Sequence, residues 1–318
     1  FVFIGIYFFV DDFALDAIFI ISIIGNFLVL FSYIGKLANF KFSFDIQIIR
    51  ILIYVGVPLL LFNLLSLMIT TIDRIMINQL VSSNREVLGI YHLGYLLSFG
   101  VMTAFNSVIF LLVPKVLKQF YSSEKVSSLM INQTRFTEFI LVSILVISIN
   151  IISPFIDFFL DDYKRSILVM QLLLIAYFMK GLAFLPESYL IANNKQMKTL
   201  SIFFISLLNA SLLNYLSIKL GYGIYGVAIS TIATFYIYML GIFWLYFYYE
   251  RVNLYKNSLL IILRPTFFIF ISIILLYESK SLIWLFLIYF ILYFWDFYIY
   301  LNKTIILIKK FISSNEPV

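Results

Sequence analysis

Residues Ile224–Tyr249 read IYGVAISTIATFYIYMLGIFWLYFYY, an uncharged run that is long enough to cross a bilayer as one helix. A helix needs about 20 apolar residues to span the ~30 Å hydrocarbon core of a membrane. The whole chain has the same character, since 63% of its 318 residues are hydrophobic, 12% are charged and the mean hydropathy is +1.05. Transmembrane barrels instead alternate apolar and polar residues in short segments. The sequence therefore predicts an all-α, polytopic integral membrane protein.

Other apolar runs of this length are separated by short polar loops. We predict spans at Ala14–Ile34, Ile48–Leu80, Leu88–Val113, Phe136–Leu160, Ile167–Ile191, Leu200–Ile218, Ile224–Tyr249, Leu259–Tyr277 and Ser281–Tyr300. Phe1–Val10 makes only half a span, which is too short to cross alone. We interpret the chain as the later part of a longer protein whose first helices precede Phe1.

Basic residues alternate between the loops, which predicts the orientation. If Asp11 and Asp12 lie outside, the inside loops hold Lys36, Lys41, Arg50, Lys115, Lys118, Lys125, Arg135, Lys195, Lys198, Arg251, Lys256, Arg264, Lys303, Lys309 and Lys310. The positive-inside rule then places the C-terminus in the cytoplasm. The loop around Ser122–Ser128 is predicted to be the longest inside loop, an amphipathic segment at the interface. The net charge of +6 is spread over the loops, which argues against a nucleic-acid-binding face.

The composition excludes several kinds of chemistry. With no cysteine and one histidine, the chain offers no thiolate metal site, iron–sulfur cluster or disulfide, and we predict no metal and no cofactor. The predicted outer loops are too short to assemble a catalytic set, so we expect no enzyme. Gly221, Gly223 and Gly226 match a dinucleotide fingerprint, but no strand precedes them. We interpret this stretch as a tight turn followed by close helix packing through Gly226, Ala228 and Ser230.

Ionisable residues inside spans are the candidate functional residues, because each costs about 2.5 to 3.5 kcal/mol at the bilayer centre on insertion scales. Lys180 and Glu187 lie two turns apart on one helix face. Asp73 and Arg74 are adjacent, so one can face a cavity while the other faces the interface. His92, the only histidine, would suit a proton-coupled step. For each residue the alternative is structural: a partner on a neighbouring helix, or a position at the membrane interface.

Two stretches carry a more specific resemblance. The first runs from Gly56 and Pro58 through Thr71–Ile77 and Val87–Tyr91 to Phe105, Asn106 and Pro114; the second comprises Tyr189–Lys195, Asn209, Leu213, Asn214 and Gly221–Thr231. In order and spacing they resemble the second half of the Wzx-type oligosaccharide flippases, the polysaccharide biosynthesis proteins of the MOP exporter superfamily. The resemblance implies a MOP/MATE-like helix bundle that is truncated at its N-terminus. Residues 1–34 would end a first lobe, 35–250 would form a six-helix second lobe, and 251–318 would add two helices and a cytoplasmic tail.

The resemblance also implies an activity. Such proteins flip undecaprenyl-diphosphate-linked oligosaccharide across the bacterial cytoplasmic membrane by alternating access, for O-antigen, capsule or exopolysaccharide synthesis. The implied partners are the lipid-linked oligosaccharide, membrane lipids, and the polysaccharide polymerase with its chain-length machinery, without nucleic acid. The alternatives are a lipid II flippase or a multidrug exporter of the same superfamily, or a membrane-embedded polymerase or acyltransferase.

Seven residues are assigned roles on this basis. Arg74 and Lys180 are expected to contact the diphosphate or the sugar, and Tyr91 and Asn106 to hydrogen-bond the sugar. Asp73, His92 and Glu187 are the candidates for coupling to an ion.

Overall fold

The computed structural model of the protein describes residues 20, 23–32, 45–81, 85–122, 126–250, 258–277, 287–294, 296 and 298. Its contacts group Phe1–Val55 into one compact unit and Gly56–Val318 into another, and the packing described below lies within the second. The predicted half-span at Phe1–Val10 lies outside the described residues, as do parts of Ala14–Ile34 and Ser281–Tyr300. The predicted division into lobes at 34/35 and 250/251 stays a prediction.

Long helices account for almost all of the described chain, and none of the described residues forms a strand. They are α1 (Ile46–Leu80), α2 (Arg85–Ser122), α3 (Val126–Phe159), α4 (Ser166–Ala192), α5 (Gln196–Lys219), α6 (Gly223–Glu250) and α7 (Ser258–Tyr277). Helices α1 to α6 each contain a stretch long and apolar enough to cross a membrane, whereas the apolar part of α7, Ile262–Leu276, is shorter. The prediction of an all-α membrane bundle is confirmed.

Several helices extend beyond the predicted spans. The region predicted as a long loop around Ser122–Ser128 is mostly helical, because α2 continues to Ser122 and α3 begins at Val126. A helix satisfies its backbone hydrogen bonds internally, so it can continue into water past the hydrocarbon core. Arg264, counted with the inside charges, lies within α7, whose bounds agree with the predicted span Leu259–Tyr277.

Two tight turns reverse the chain between neighbouring helices. After α5, the Tyr222 amide donates to Ser217 O over 3.0 Å and the Gly221 amide donates to Ile218 O over 3.1 Å. This is the Schellman pattern, and Gly221, with φ of +83°, occupies its left-handed position. Asn194, with φ of +60°, ends α4 in the same way. The turn expected from the glycine pattern is confirmed.

Helix α4 is the centre of the bundle, and it packs against α2, α3, α5, α6 and α7. Glycines allow the closest approaches: a Cβ at Gly94 would lie 2.9 Å from Val169 Cγ1 and 3.0 Å from the Met170 amide nitrogen. At this crossing, the Ser98 hydroxyl donates to Met170 O over 2.9 Å. Small residues and hydroxyl hydrogen bonds are the usual means of joining helices in lipid.

Apolar side chains cover the outside of the bundle. On α5, Phe204, Leu208 and Leu212 repeat every four residues along one face and are all exposed. Since a face of this kind is covered by acyl chains in a bilayer, the exposed surface agrees with membrane insertion.

Candidate functional site

The end of α1 and the start of α2 bring together four of the predicted site residues, Asp73, Arg74, Tyr91 and His92. The Tyr91 hydroxyl donates to Asp73 Oδ2 over 2.5 Å, and the Arg74 amide donates to Asp73 Oδ1 over 2.9 Å. Asp73 is buried and Tyr91 is 0% exposed. The carboxylate is therefore held inside the bundle, and the Tyr91 hydroxyl uses its only proton in this hydrogen bond.

The Arg74 side chain is half-buried. Its guanidinium lies 3.7 Å from the centroid of the Tyr95 ring, its Nη2 donates to Thr70 O over 3.2 Å, and its Nη1 is 3.5 Å from His92 Nδ1. A cation over an aromatic face is attracted by the ring quadrupole. Arg74 Nε is buried and has no hydrogen-bond partner in the described part of the chain. The side chain is thus fixed in place with one donor still free.

Lys180 on α4 is the second half-buried cation. Its Nζ donates to Ser66 Oγ of α1 over 3.2 Å and lies 5.5 Å from the centroid of the Phe235 ring. Glu187, two turns further along α4, accepts instead from the Tyr238 hydroxyl over 2.6 Å. Within the described ranges, no ion pair neutralises either Lys180 or Arg74.

Aromatic rings lie between the two cations. The Tyr95 and Tyr177 centroids are 6.4 Å apart, and those of Tyr177 and Phe235 are 5.7 Å apart. Together with Arg74 on Tyr95 and Lys180 on Phe235, these rings form what we call the aromatic row. Spacings of 4.5 to 7 Å are those of favourable ring pairs. The row connects α2, α4 and α6 and holds the two cations on one framework.

The two cations lie at different depths. Arg74 is six residues from the end of α1, about 9 Å along the helix axis, whereas Lys180 is fourteen residues from the start of α4, about 21 Å. Both helix ends belong to the predicted outer side. Arg74 therefore lies near one end of its helix and Lys180 near the middle of its own, about 12 Å further from the helix end.

The predicted residues Asn106 and His92 also lie on α2. Asn106 lies on α2 fourteen residues beyond His92, about 21 Å along the axis. Its Oδ1 is buried without a hydrogen-bond partner among the described residues. The His92 ring stacks on Tyr95, with centroids 5.8 Å apart. The structure therefore brings Asp73, Arg74, Tyr91 and His92 together and leaves Asn106 apart.

A second charged cluster was not expected from the sequence. Arg264 Nε and Nη2 donate to the two carboxylate oxygens of Glu138 over 3.0 and 2.8 Å, and Nη1 donates to Asp296. The Tyr293 hydroxyl also donates to Glu138, over 2.6 Å. The sequence signal was the position of Glu138 and Asp296 inside predicted spans, where an acid requires a partner.

Metal ligands do not cluster in the described part of the chain: no group of three or more His, Asp or Glu side chains is suited to hold an ion. The site is thus a cationic and aromatic one. No family model, curated protein or solved structure matches the chain.

Proposed function

We propose that this protein is a flippase for an undecaprenyl-diphosphate-linked oligosaccharide, of the Wzx type within the MOP superfamily. The main support is the pair of half-buried cations, Arg74 and Lys180, in apolar helices. Neither forms an ion pair among the described residues. A cation costs about 2.5 to 3.5 kcal/mol at the bilayer centre, near which Lys180 lies. An anionic ligand that enters and leaves would account for the presence of both cations.

The chemistry of the two cations suits a diphosphate. An arginine guanidinium presents several donors in one plane and binds phosphate oxygens in pairs, while a lysine acts as a point charge. Tyr95 and Thr70 hold Arg74 in place, and its Nε is the free donor. In the proposal, Arg74 receives the diphosphate in the outer half of the membrane and Lys180 receives it near the middle.

The other site residues have supporting roles. Tyr91 donates to Asp73, whose carboxylate accepts from the Arg74 amide, so it helps to fix the backbone from which Arg74 projects. Its predicted hydrogen bond to the sugar would use the acceptor side of the same hydroxyl. Asn106, with its unpartnered Oδ1, is proposed to hydrogen-bond the sugar. Of the three candidates for ion coupling, His92 contacts Arg74 directly, whereas Asp73 and Glu187 accept from tyrosines.

The membrane potential can supply part of the driving force. An inside-negative potential favours the outward movement of negative charge. Moving two negative charges outward therefore releases about 4 to 5 kcal/mol per 100 mV. We propose a cytoplasmic C-terminus, with the flipped unit released on the outer side to a polymerase and its chain-length machinery. Residues 35–250 would form one of the two lobes between which access alternates.

The test is complementation of a bacterium that lacks its polysaccharide flippase. The complete gene is introduced as wild type, Arg74→Ala, Lys180→Ala and Lys219→Ala, and surface polysaccharide is measured at equal membrane protein levels. Lys219 is the matched control, since it is a basic residue at the end of α5 outside the site. Loss of a hydrogen bond to a charged group costs about 1.5 to 3 kcal/mol, so we expect roughly 10- to 150-fold less polymer from either site variant.

Two outcomes would contradict the proposal. Wild-type polymer levels from both Arg74→Ala and Lys180→Ala would remove the cations from the mechanism. A well-expressed wild type that restores polymer in no host, across several different repeat units, would argue against the activity itself.

A further inference from the structure

Two adjoining cavities open at the predicted outer end of the bundle, away from the site described above. The first, of about 710 Å³, is lined by the polar residues Asp157, Lys164, Arg165 and Gln171 together with apolar ones. The second, of about 520 Å³, is lined mainly by apolar residues, among them Leu172, Ile229 and Ile273. Leu168, Tyr225 and Leu276 line both. The two cavities therefore adjoin, and we call the pair the outer cavity, with a polar mouth and an apolar floor.

The apolar floor lies at the depth where acyl chains begin. Leu172 is six residues into α4 and Ile229 six residues into α6, about 9 Å along each helix axis. Ile273 is four residues from the end of α7, about 6 Å. A ligand with its head at the mouth would place an apolar chain among these residues, inside the hydrocarbon layer.

Charges of both signs remain uncompensated at the mouth. Lys164 Nζ lies 3.2 Å from Asp157 and 2.5 Å from Asp161, so one ammonium faces two carboxylates. The pKa of this ammonium is raised above its ordinary value, chiefly because it donates to Asp161 and then to Asp157. Lys164 thus stays charged, and the group of three retains one net negative charge.

Arg165 supplies the opposite charge. Its side chain is exposed and forms no ion pair in the described part of the chain. It stands at the N-cap of α4 without a side-chain cap, where the helix dipole disfavours a cation and favours an anion. The Tyr225 hydroxyl, 3.5 Å from Arg165 O, joins the start of α6 to this corner. An anionic group beside Arg165 would be attracted by both the guanidinium and the dipole.

We propose that the outer cavity binds one zwitterionic glycerophospholipid of the outer leaflet. Its phosphate contacts Arg165, its ammonium contacts the Asp157 carboxylate, and one acyl chain lies against Ile229 and Leu172. The mouth offers uncompensated charges of both signs, which match a zwitterionic headgroup better than an anionic one. The proposal does not depend on the identity of the translocated substrate.

The test is lipid binding to the complete protein, purified and delipidated, followed by native mass spectrometry. The probes are phosphatidylethanolamine and phosphatidylglycerol, titrated against wild type, Arg165→Gln, Asp157→Asn and Lys219→Gln. We expect tighter binding of phosphatidylethanolamine to wild type and to Lys219→Gln. Arg165→Gln should bind it about tenfold more weakly, and Asp157→Asn should lose the preference between the two headgroups.

A fourth variant tests the apolar floor. Ile229 is 50% exposed, so Ile229→Trp would fill the cavity without disturbing the helix core, and it should lose both lipids. Wild-type affinity for phosphatidylethanolamine in Arg165→Gln, equal binding of the two headgroups by wild type, or retained lipid in Ile229→Trp would each overturn the proposal.

Discussion

Replacing Arg264 by methionine should destabilise the protein more than any other single loss of charge in the described helices. The guanidinium makes two parallel hydrogen bonds to Glu138 and a third bond to Asp296. The Glu138 side chain is 0% exposed and that of Arg264 is 21% exposed. Arg264→Met would leave two carboxylates facing each other, with only the Tyr293 hydroxyl donating to Glu138. Breaking a buried pair from one side costs about 3 to 5 kcal/mol, and we expect a loss of that size.

The assay is a double-mutant cycle on the complete protein in mixed micelles. Helicity is followed by circular dichroism through an SDS titration for wild type, Arg264→Met, Glu138→Gln and the double variant. Removing the Glu138 charge should restore much of the stability lost in Arg264→Met, giving a coupling energy of about 2 to 3 kcal/mol. Lys219→Met, which removes an exposed charge at the end of α5, is the control. The explanation is refuted if Arg264→Met unfolds at the same SDS concentration as Lys219→Met, or if adding Glu138→Gln to Arg264→Met restores no stability.

Two smaller predictions use the same titration. Tyr91→Phe removes the hydroxyl that donates to buried Asp73, so it should lose about 1 to 3 kcal/mol, and unchanged stability would contradict the hydrogen bond. Gly94→Ala should cost about 1 to 3 kcal/mol, because the new Cβ would meet the Met170 amide nitrogen at 3.0 Å. Gly100→Ala, on the same helix with open space around it, should be neutral or stabilising. Equal effects of the two alanines would show that α2 and α4 separate easily.

Much of the fold was predictable because it depends on local signals. Apolar runs of about 20 residues determine the spans, and Gly221 and Gly223 mark the turn between α5 and α6, where both have positive φ. Helix ends were predicted less well, since α2 and α3 continue well into polar sequence that a hydropathy pattern assigns to a loop.

The partners of the candidate site residues were less predictable. Tyr91 lies 18 residues from Asp73, and Ser66 lies 114 residues from Lys180, so no helical periodicity connects either pair. The cost of a charge in a membrane predicts that each of these residues needs a partner, without saying which residue supplies it. Arg264 was counted with the inside charges although it falls within the predicted span Leu259–Tyr277, because basic residues near a predicted inner end resemble topology signals.

The distances along the chain between these partners have a consequence for how the protein is made. Asp73 meets Tyr91 as soon as α1 and α2 insert as a hairpin, because only 18 residues separate them. Glu138 lacks these partners until Arg264, 126 residues later, and Tyr293, 155 residues later, have been synthesised. At a synthesis rate of about 5 to 20 residues per second, α3 carries an unpartnered acid for roughly 6 to 25 s. A ribosome that stalls before α7 would therefore leave in the membrane a helix that quality-control proteases can recognise by its unpaired carboxyl group.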